Sequence, residues 1–270
     1  MDILEQIIAH KKKEVADRKA LYPVALLEQS IYYKSNPVSL KKYLLRDDKS
    51  GIIAEIKRKS PSKGMINPYV SVERTSIGYM QAGASALSVL TDKEFFGGTN
   101  DDLRTARKFN FCPILRKDFI IDEYQIIEAK SIGADAILLI AAVLAADELK
   151  RFHEFARSLM LEVLVEVHDE LELNKVIALP LEMIGVNSRN LKTFETNIQS
   201  AINLAGKIPQ GVVKVAESGI DHTDTILELK QHGYNGFLMG EHFMRNARPE
   251  QACREFIREL KSKSAQQITA

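Results

Sequence analysis

Short runs of apolar residues recur along the chain, and most of them are rich in Ile, Val and Leu without alternating with polar residues. A continuous apolar run indicates a strand with both faces buried, as in a parallel sheet, whereas a strand with one solvated face alternates. We predict a strand at each of eight runs: residues 52–56, 86–90, 113–115, 136–140, 163–167, 183–186, 212–216 and 236–239.

The segments between these runs carry helix signals. Asp122 stands before one helical stretch, with Gln125 as the candidate capping-box partner three residues later and Gly133 at the end. The same cap signal recurs at Asp169 with Glu172, and at Asp221 with Asp224. Eight strands alternating with helices predict an α/β fold, a (β/α)8 TIM barrel. An open doubly wound sheet is the alternative, but its G-x-G-x-x-G turn is missing after every predicted strand.

The residues before the first predicted strand form an extension. Ile3, Leu4, Ile7 and Ile8 make a helical apolar stripe, and residues 21–27 and 40–45 are further short helical candidates. The sequence contains no linker that would divide it. We therefore expect a single domain over residues 1–270, with an N-terminal helical extension at 1–50, the barrel at 51–262 and a frayed tail at 263–270.

Composition restricts the partners. The formal net charge of +1 lacks the basic excess typical of nucleic-acid binding, so we expect no nucleic-acid partner. No apolar run approaches the roughly 18 residues that cross a bilayer, and the N-terminus has no signal-peptide cleavage site. We therefore expect no membrane partner and a cytoplasmic location.

Two cysteines make no disulfide framework. No metal-binding or redox motif appears, so we expect neither a metal nor a cofactor.

Charged and polar residues follow nearly every predicted strand, at the end where barrels carry their active sites. One such residue is usually the first solvated residue of a loop, but several that converge on one mouth perturb each other's pKa values. Glu55 and Lys57 are two positions apart on one side of the first strand, so we expect them to face the mouth and pair. The others are Ser60, Lys117, Glu166, Asn187, Arg189 and Glu217. We set His168 aside as non-catalytic.

Tight turns after the last two predicted strands indicate a phosphate site. Ser218 with Gly219, and Gly240 with Glu241, offer free backbone N–H groups where barrels commonly bind phosphate. These features predict a small anionic substrate.

Together, these motifs resemble the indole-3-glycerol phosphate synthase family over essentially the whole chain. The segments are IIAEIKRKSPSKG, LRKDF, ADAILLI, LVEVHDE, IGVNSRNL, VAESGI and MGEHFM. The resemblance implies ring closure, decarboxylation and dehydration of 1-(2-carboxyphenylamino)-1-deoxyribulose 5-phosphate to indole-3-glycerol phosphate in tryptophan biosynthesis. It also implies a small phosphorylated substrate as partner, with association with other enzymes of that pathway left open.

The resemblance also implies residue roles. Lys117 matches the general acid that protonates the ribulose C2 oxygen, and Glu166 matches the acid–base group of the later steps. Lys57 matches the lysine that contacts the substrate carboxylate. The remaining catalytic matches are Glu55 and Glu217, which hold the lysines, and Asn187, a polar contact within the mouth. The other matches are Arg189 and Ser60, which contact the substrate; Phe96, Phe119, Leu138 and Leu191, which surround its ring; and Ser218, Gly219, Gly240 and the Glu241 backbone, which bind phosphate.

Two expectations and two alternatives remain. A lysine acid works best with its pKa lowered from about 10.4 to roughly 7–8, and Lys57 is the cation that would lower the pKa of Lys117. Because a carboxylate repels phosphate, we expect the Glu241 side chain to turn away from it. The alternative functions are another phosphate-binding barrel enzyme, for example a Schiff-base aldolase with Lys117 as nucleophile, and a non-catalytic barrel that binds a phosphometabolite.

Overall fold

The apolar runs form the wall of a closed barrel. The computed structural model describes residues 2–190 and 193–269. In that part of the chain, eight parallel strands close the barrel in sequence order, with the last strand paired to the first. The strands are β1 (Ile52–Ile56), β2 (Lys59–Ser60), β3 (Gly64–Met65), β4 (Ala86–Leu90), β5 (Ile114–Lys117), β6 (Ala136–Ile140), β7 (Glu162–Val167), β8 (Met183–Asn187), β9 (Val213–Glu217) and β10 (Tyr234–Met239). The predicted fold is confirmed, and β2 and β3 form an antiparallel hairpin outside the barrel.

Helices connect the strands and surround the barrel. Their apolar faces cover the outward side chains of the strands, which form the larger of the buried clusters. The helices of the described residues are α1 (Ile3–Leu21), α2 (Val24–Leu27), α3 (Leu40–Leu44), α4 (Val72–Ala82), α5 (Asn100–Phe109), α6 (Glu123–Ser131), α7 (Ala146–Ser158), α8 (Glu170–Val176), α9 (Gln199–Ala205), α10 (Thr223–Gln231), α11 (Glu241–Met244) and α12 (Pro249–Thr269).

Several strands run further toward the mouth than their apolar residues do. Lys117 is in register with Leu90, and Asn187 is in register with Glu217. Apolar composition marks burial, whereas a strand ends where its ladder of backbone hydrogen bonds ends. Three candidate site residues therefore stand on rigid strands rather than on loops.

Two of the three predicted helix caps are confirmed. The Asp122 and Asp169 side chains accept backbone N–H bonds from the first turns of α6 and α8. The expected capping box at Asp122 is wrong, because Gln125 Oε1 accepts from the backbone N of Ile121 at 2.8 Å. Gln125 thus satisfies an N–H group one residue earlier than expected.

The third predicted cap, at Asp221, is wrong. Helix α10 begins at Thr223, and its N-cap residue is His222, whose side chain makes no capping bond. Asp221 lies one position too early to cap, and its Oδ1 is 3.4 Å from His242 Nδ1.

The last helix is longer than the sequence indicates. Helix α12 continues to Thr269, whereas a frayed tail was expected from residue 263. Lys263 joins this segment to α10, because its Nζ lies 2.8 Å from Asp224; it also lies 3.1 Å from Glu259, one turn earlier in α12. Among the helices that the structure describes, none has both the length and the apolar content needed to cross a bilayer.

Helix α1 is attached to the barrel through a buried ammonium group. Lys11 Nζ lies 2.8 Å from Asp92, 3.0 Å from Asp118 and 2.9 Å from Glu14. Burial alone raises the pKa of Asp118, but the charges of Lys11 and Arg116 outweigh burial and lower it to about 2. The extension and the loops after β4 and β5 therefore share one ionic network.

Replacing Lys11 with Met should destabilise the protein. Asp92 would lose the ammonium group beside it and Asp118 one of two cations, and removal of one partner of a buried ionic group costs about 3–5 kcal/mol. We expect a fall of this size in the unfolding free energy measured in urea. Lys12→Met is the control, because Lys12 is exposed on the same helix. Equal unfolding free energies for the two variants would contradict this account of α1.

Candidate active site

A cavity of about 450 Å³ opens at the carboxyl ends of the barrel strands. All predicted site residues of the described chain line it: Glu55, Lys57, Ser60, Phe96, Lys117, Phe119, Leu138, Glu166, Asn187, Arg189, Glu217, Ser218, Gly219, Gly240 and Glu241. The remaining predicted residue, Leu191, lies outside the described residues. The expected convergence on one mouth is thus observed, although the chemical role of each residue stays a prediction.

The expected pair on the first strand is present. Lys57 Nζ lies 2.8 Å from Glu55 Oε1, since the two residues share one side of the chain. Ser88 donates a weaker hydrogen bond to Glu55 Oε2 at 3.4 Å. A Cβ atom at Gly240 would lie 2.5 Å from Glu55 Oε1, so a side chain there would displace the carboxylate.

Lys117 is the centre of the cavity's charge cluster. Its Nζ donates to Glu166 Oε2 at 2.9 Å and lies 3.3 Å from Glu217 Oε2. Asn187 Nδ2 donates to Glu166 Oε1 at 3.2 Å. Both carboxylates are buried. At Gly185 an added Cβ would lie only 2.2 Å from Glu217 Oε1, so this glycine provides the space for the buried carboxylate.

The expected lowering of the pKa of Lys117 is wrong. Burial does lower it, but the negative charges of Glu166, Glu217 and Glu55 outweigh burial and raise the pKa well above its ordinary value. Lys57 does not act as the expected cation because Glu55 accompanies it at 2.8 Å. Lys117 is therefore an ammonium group at neutral pH.

The ammonium group of Lys117 lies beside two buried carboxylates, Glu166 and Glu217. The pKa values of these two carboxylates shift in opposite directions. For Glu166, burial acts upward, but the charges of Lys117 and His168 and the hydrogen bonds of Lys117 and Asn187 lower its pKa. For Glu217, burial raises the pKa above its ordinary range; Lys117 opposes this rise and the charge of Glu166 adds to it. The site thus contains one ionised carboxylate and one neighbour that holds a proton, as acid–base catalysis requires.

One wall of the cavity is apolar. The rings of Phe96 and Phe119 lie 5.9 Å apart between centroids, and Leu138 lines the same cavity. The sequence analysis missed further lining residues on α1, namely Ile3, Leu4 and Ile7. Their apolar stripe was recognised, but helical periodicity alone does not say which part of the barrel it covers.

The loop after β1 forms the β2–β3 hairpin and reaches across the mouth. Arg189 Nη1 donates to Ser62 Oγ at 3.4 Å. The Glu241 carboxylate lies 3.1 Å from Arg189 and 3.4 Å from Lys63. Two cations thus hold the Glu241 side chain, and Ser60 lies buried at the base of the hairpin.

The turn after β9 has the backbone shape of an anion site. Ser218 and Gly219 both adopt left-handed conformations, with φ of 67° and 74°. Successive backbone N–H groups in such a turn can point toward one anion. A Cβ at Gly219 would lie 2.9 Å from Thr196 Cγ2, so both the conformation and the space favour glycine.

His168, which the sequence analysis set aside, lies against the charge cluster. Its Nε2 is 3.4 Å from Glu166 Oε1, and its Nδ1 is 3.0 Å from Glu172 Oε2. The two-residue spacing from Glu166 was a usable signal, because it puts both side chains on one face of the strand.

Comparison with known proteins identifies the family. The sequence model described as indole-3-glycerol phosphate synthase matches residues 4–256. The chain is 46% identical over 259 residues to the indole-3-glycerol phosphate synthase of Bacteroides thetaiotaomicron, an alignment that covers 96% of this chain and 99% of that protein. The chain belongs to the indole-3-glycerol phosphate synthase family. A second relative, the indole-3-glycerol phosphate synthase of Campylobacter fetus, is 42% identical, over 90% of this chain and 94% of its own length.

Solved structures outside the indole-3-glycerol phosphate synthase family share the barrel. Thiamine phosphate pyrophosphorylase from Pyrococcus furiosus superposes with a TM-score of 0.59 at 15% identity, over 83% of this chain and 98% of its own. A mutant tryptophan synthase α-subunit from the same organism gives a TM-score of 0.58 at 15% identity, over 79% and 99%. These similarities concern the fold alone.

The raised pKa of Glu217 should make stability depend on pH. A carboxyl whose pKa is higher in the folded state binds more protons there, so the wild type loses stability as pH rises from the unfolded value toward the folded one. Glu217→Gln has no such loss. Its unfolding free energy, relative to wild type, should increase between pH 5 and pH 9, at about 1.4 kcal/mol per unit of pKa shift.

The control for this prediction is Glu154→Gln, at an exposed position of α7. Urea titrations of all three proteins at both pH values provide the comparison. A constant difference between Glu217→Gln and wild type across that range would contradict the assignment of the proton to Glu217.

Proposed function

We propose that this chain catalyses the indole-3-glycerol phosphate synthase reaction. The substrate is 1-(2-carboxyphenylamino)-1-deoxyribulose 5-phosphate, and the products are indole-3-glycerol phosphate, carbon dioxide and water. The observation that carries the proposal is the buried cluster in which Lys117 lies 2.9 Å from Glu166 and 3.3 Å from Glu217. Membership of the family supports the choice of substrate.

The cavity has a suitable surface for each part of this substrate. The left-handed turn at Ser218 and Gly219 would bind the phosphate together with the backbone at Gly240 and Glu241. The Glu241 carboxylate is paired with Arg189 and Lys63. Phe96, Phe119 and Leu138 would contact the carboxyphenyl ring, and Lys57 its carboxylate. Anchoring both ends holds the two reacting carbons together, and effective molarities for such positioning can reach about 10⁵ M or above.

Ring closure is assigned to Lys117. As the ring carbon attacks C2 of the ribulose, the C2 oxygen gains negative charge and becomes strongly basic. Lys117 carries the proton that this oxygen needs, because neighbouring carboxylates keep the lysine protonated. An ammonium group fixed at this point also stabilises the developing charge. Carbon dioxide then leaves with its bonding electrons returned to the ring, which restores aromaticity.

Dehydration is assigned to Glu166. The step delivers one proton to the departing hydroxyl and removes one from the adjacent carbon. Glu166 lies beside Lys117 and is ionised, so it can accept the proton from carbon. To act as the acid it must first receive a proton. Asn187 orients the carboxylate through its 3.2 Å hydrogen bond, and we assign Ser60 to substrate contact.

The alternative of a Schiff-base aldolase is less well supported. Imine formation requires a neutral amine, whereas the carboxylates around Lys117 keep it charged. Borohydride trapping with substrate present distinguishes the two, because a stable adduct at Lys117 would favour the aldolase. A cytoplasmic location and association with other enzymes of tryptophan synthesis stay predictions.

Removing either proton-transfer group should abolish most turnover. With the carboxyphenylamino-deoxyribulose phosphate as substrate and indole fluorescence as readout, we expect Lys117→Ala and Glu166→Gln each to lower kcat by about 10²–10⁴-fold. Lys150→Ala, at an exposed site on α7, is the control. No product from folded wild-type protein would refute the proposed function, and near-native kcat in Lys117→Ala would refute the role of that lysine.

A change at the phosphate turn should affect binding rather than chemistry. Gly219→Ala places a Cβ in a left-handed conformation, which costs about 1–2 kcal/mol, and 1.4 kcal/mol corresponds to about tenfold in affinity. We expect KM to rise about tenfold with little change in kcat. Gly211→Ala is the matched control, because Gly211 is also left-handed (φ 85°) but has open space around it. Equal effects of the two substitutions would argue against a phosphate site at Gly219.

A further inference from the structure

His168 connects Glu166 to a second carboxylate outside the cavity wall. Its Nδ1 is 3.0 Å from Glu172 Oε2, and the same oxygen accepts the backbone N–H of His168 at 2.8 Å. These two contacts fix the ring. Its Nε2 then faces Glu166 Oε1 at 3.4 Å. The side chains of His168 and Glu172 are 13% and 20% exposed, against 3% for Glu166, so this row of three groups leads from the cluster toward solvent.

The contacts determine which nitrogen holds the exchangeable proton. An ionised Glu172 only accepts hydrogen bonds, so Nδ1 of His168 carries a hydrogen. In a neutral ring, Nε2 would then bring a lone pair to 3.4 Å from Glu166 Oε1, a contact that does not have hydrogen-bond geometry. Nε2 is buried and has no hydrogen-bond partner within the described chain, so only a proton on Nε2 makes the contact with Glu166 attractive.

The charges around the ring favour that proton. Burial acts to lower the pKa of His168, but the hydrogen bond to Glu172 and the charges of Glu166, Glu172 and Glu217 outweigh burial and raise it. Glu166 is on β7, which ends one residue before His168; Glu172 is on α8, and Glu217 is on β9. The surrounding carboxylates therefore favour the imidazolium more than water does around a free histidine.

We propose that His168, oriented by Glu172, is a positioning residue that supplies a proton to Glu166 and takes it back during dehydration. This inference rests on the proposed function. The Nε2–H bond breaks as a Glu166 O–H bond forms, and Glu166 passes one proton to the departing hydroxyl, which leaves as water. Glu166 then removes the proton from carbon and returns it to Nε2. One proton enters and one leaves the substrate in dehydration, so His168 and Glu166 end this step in their starting protonation states.

Glu217 is a poorer source of this proton. It lies 3.3 Å from Lys117, and its side chain is only 2% exposed, so it is poorly placed to recover a proton from solvent. The side chain of His168 is partly exposed, and its partner Glu172 lies on the side that faces solvent. The two carboxylates and the histidine can be tested separately.

The first test observes His168 without turnover. Protein labelled with ¹⁵N-histidine is titrated by NMR, and the His168 signals are assigned by their loss in His168→Gln. Because removal of a carboxylate charge disfavours the imidazolium, Glu166→Gln and Glu172→Gln should each shift the His168 titration to lower pH. A titration unmoved by Glu166→Gln would overturn the proposed contact.

The second test separates proton exchange from a holding role. Gln at position 168 places an amide near the position of Nε2 and can hold Glu166, but it has no titratable proton. We expect His168→Gln to lower kcat by about tenfold or more with KM unchanged, and to lose the alkaline fall in kcat that accompanies His168 deprotonation in wild type. Glu172→Gln should move that fall to lower pH. His232→Gln, at an exposed position at the end of α10, is the control.

The outcomes distinguish failure of the proposed role of His168 from failure of the proposed reaction. If His168→Gln has the kcat of wild type at every pH, the role of His168 is overturned. It is also overturned if kcat of His168→Gln is lower but depends on pH as in wild type, because that result indicates a purely structural role. If His168→Gln does not fold, the shift of the alkaline limb in Glu172→Gln decides the question. Absence of turnover in wild type would instead refute the proposed reaction, while the NMR titration would still report on the contact with Glu166.

Discussion

An ammonium group buried between two carboxylates determines the chemistry of the barrel mouth. Lys117 lies 2.9 Å from Glu166 and 3.3 Å from Glu217, on three different strands of one closed sheet. Buried charges are tolerated when they are paired, and here Lys117 is paired with two buried carboxylates. Burial favours the protonated form of Glu217, whereas the charge of Lys117 favours the ionised form of Glu166. The roles of Lys117 as proton donor, Glu166 as base and Glu217 as the protonated neighbour therefore follow from burial and from the charges beside each group.

The barrel is the scaffold that makes this arrangement possible. Parallel strands bring their carboxyl ends to one mouth, and the ladder continues to Lys117, Asn187 and Glu217, so these side chains are placed by rigid backbone. Gly185 supplies the space beside Glu217. The same interactions that organise the chemistry place Glu217 where its charged form is disfavoured, so the site lowers stability at alkaline pH.

The extension before the barrel belongs to the same system. Lys11 joins Asp92 and Asp118, and Asp92 also accepts backbone N–H bonds from Phe95 and Phe96. Asp118 directly follows Lys117 in the chain. A second buried ammonium group thus holds α1, the aromatic wall and the strand of the central lysine in one arrangement. The apolar stripe of α1 can line the cavity because its helix is fixed in this way.

The sequence by itself determined the barrel, its strands and the membership of the mouth, because burial periodicity and strand ends are local properties of the chain. It also determined that Glu55 and Lys57 share a face, which a two-residue spacing requires. Only the tertiary structure decided the direction of the pKa of Lys117, the partner of His168 and the part of the barrel that α1 covers. The physical reason is the same for all three. Coulomb interactions and desolvation depend on distances between residues that are far apart in the chain, as Lys117, Glu166 and Glu217 are, and spacing along the sequence does not contain those distances.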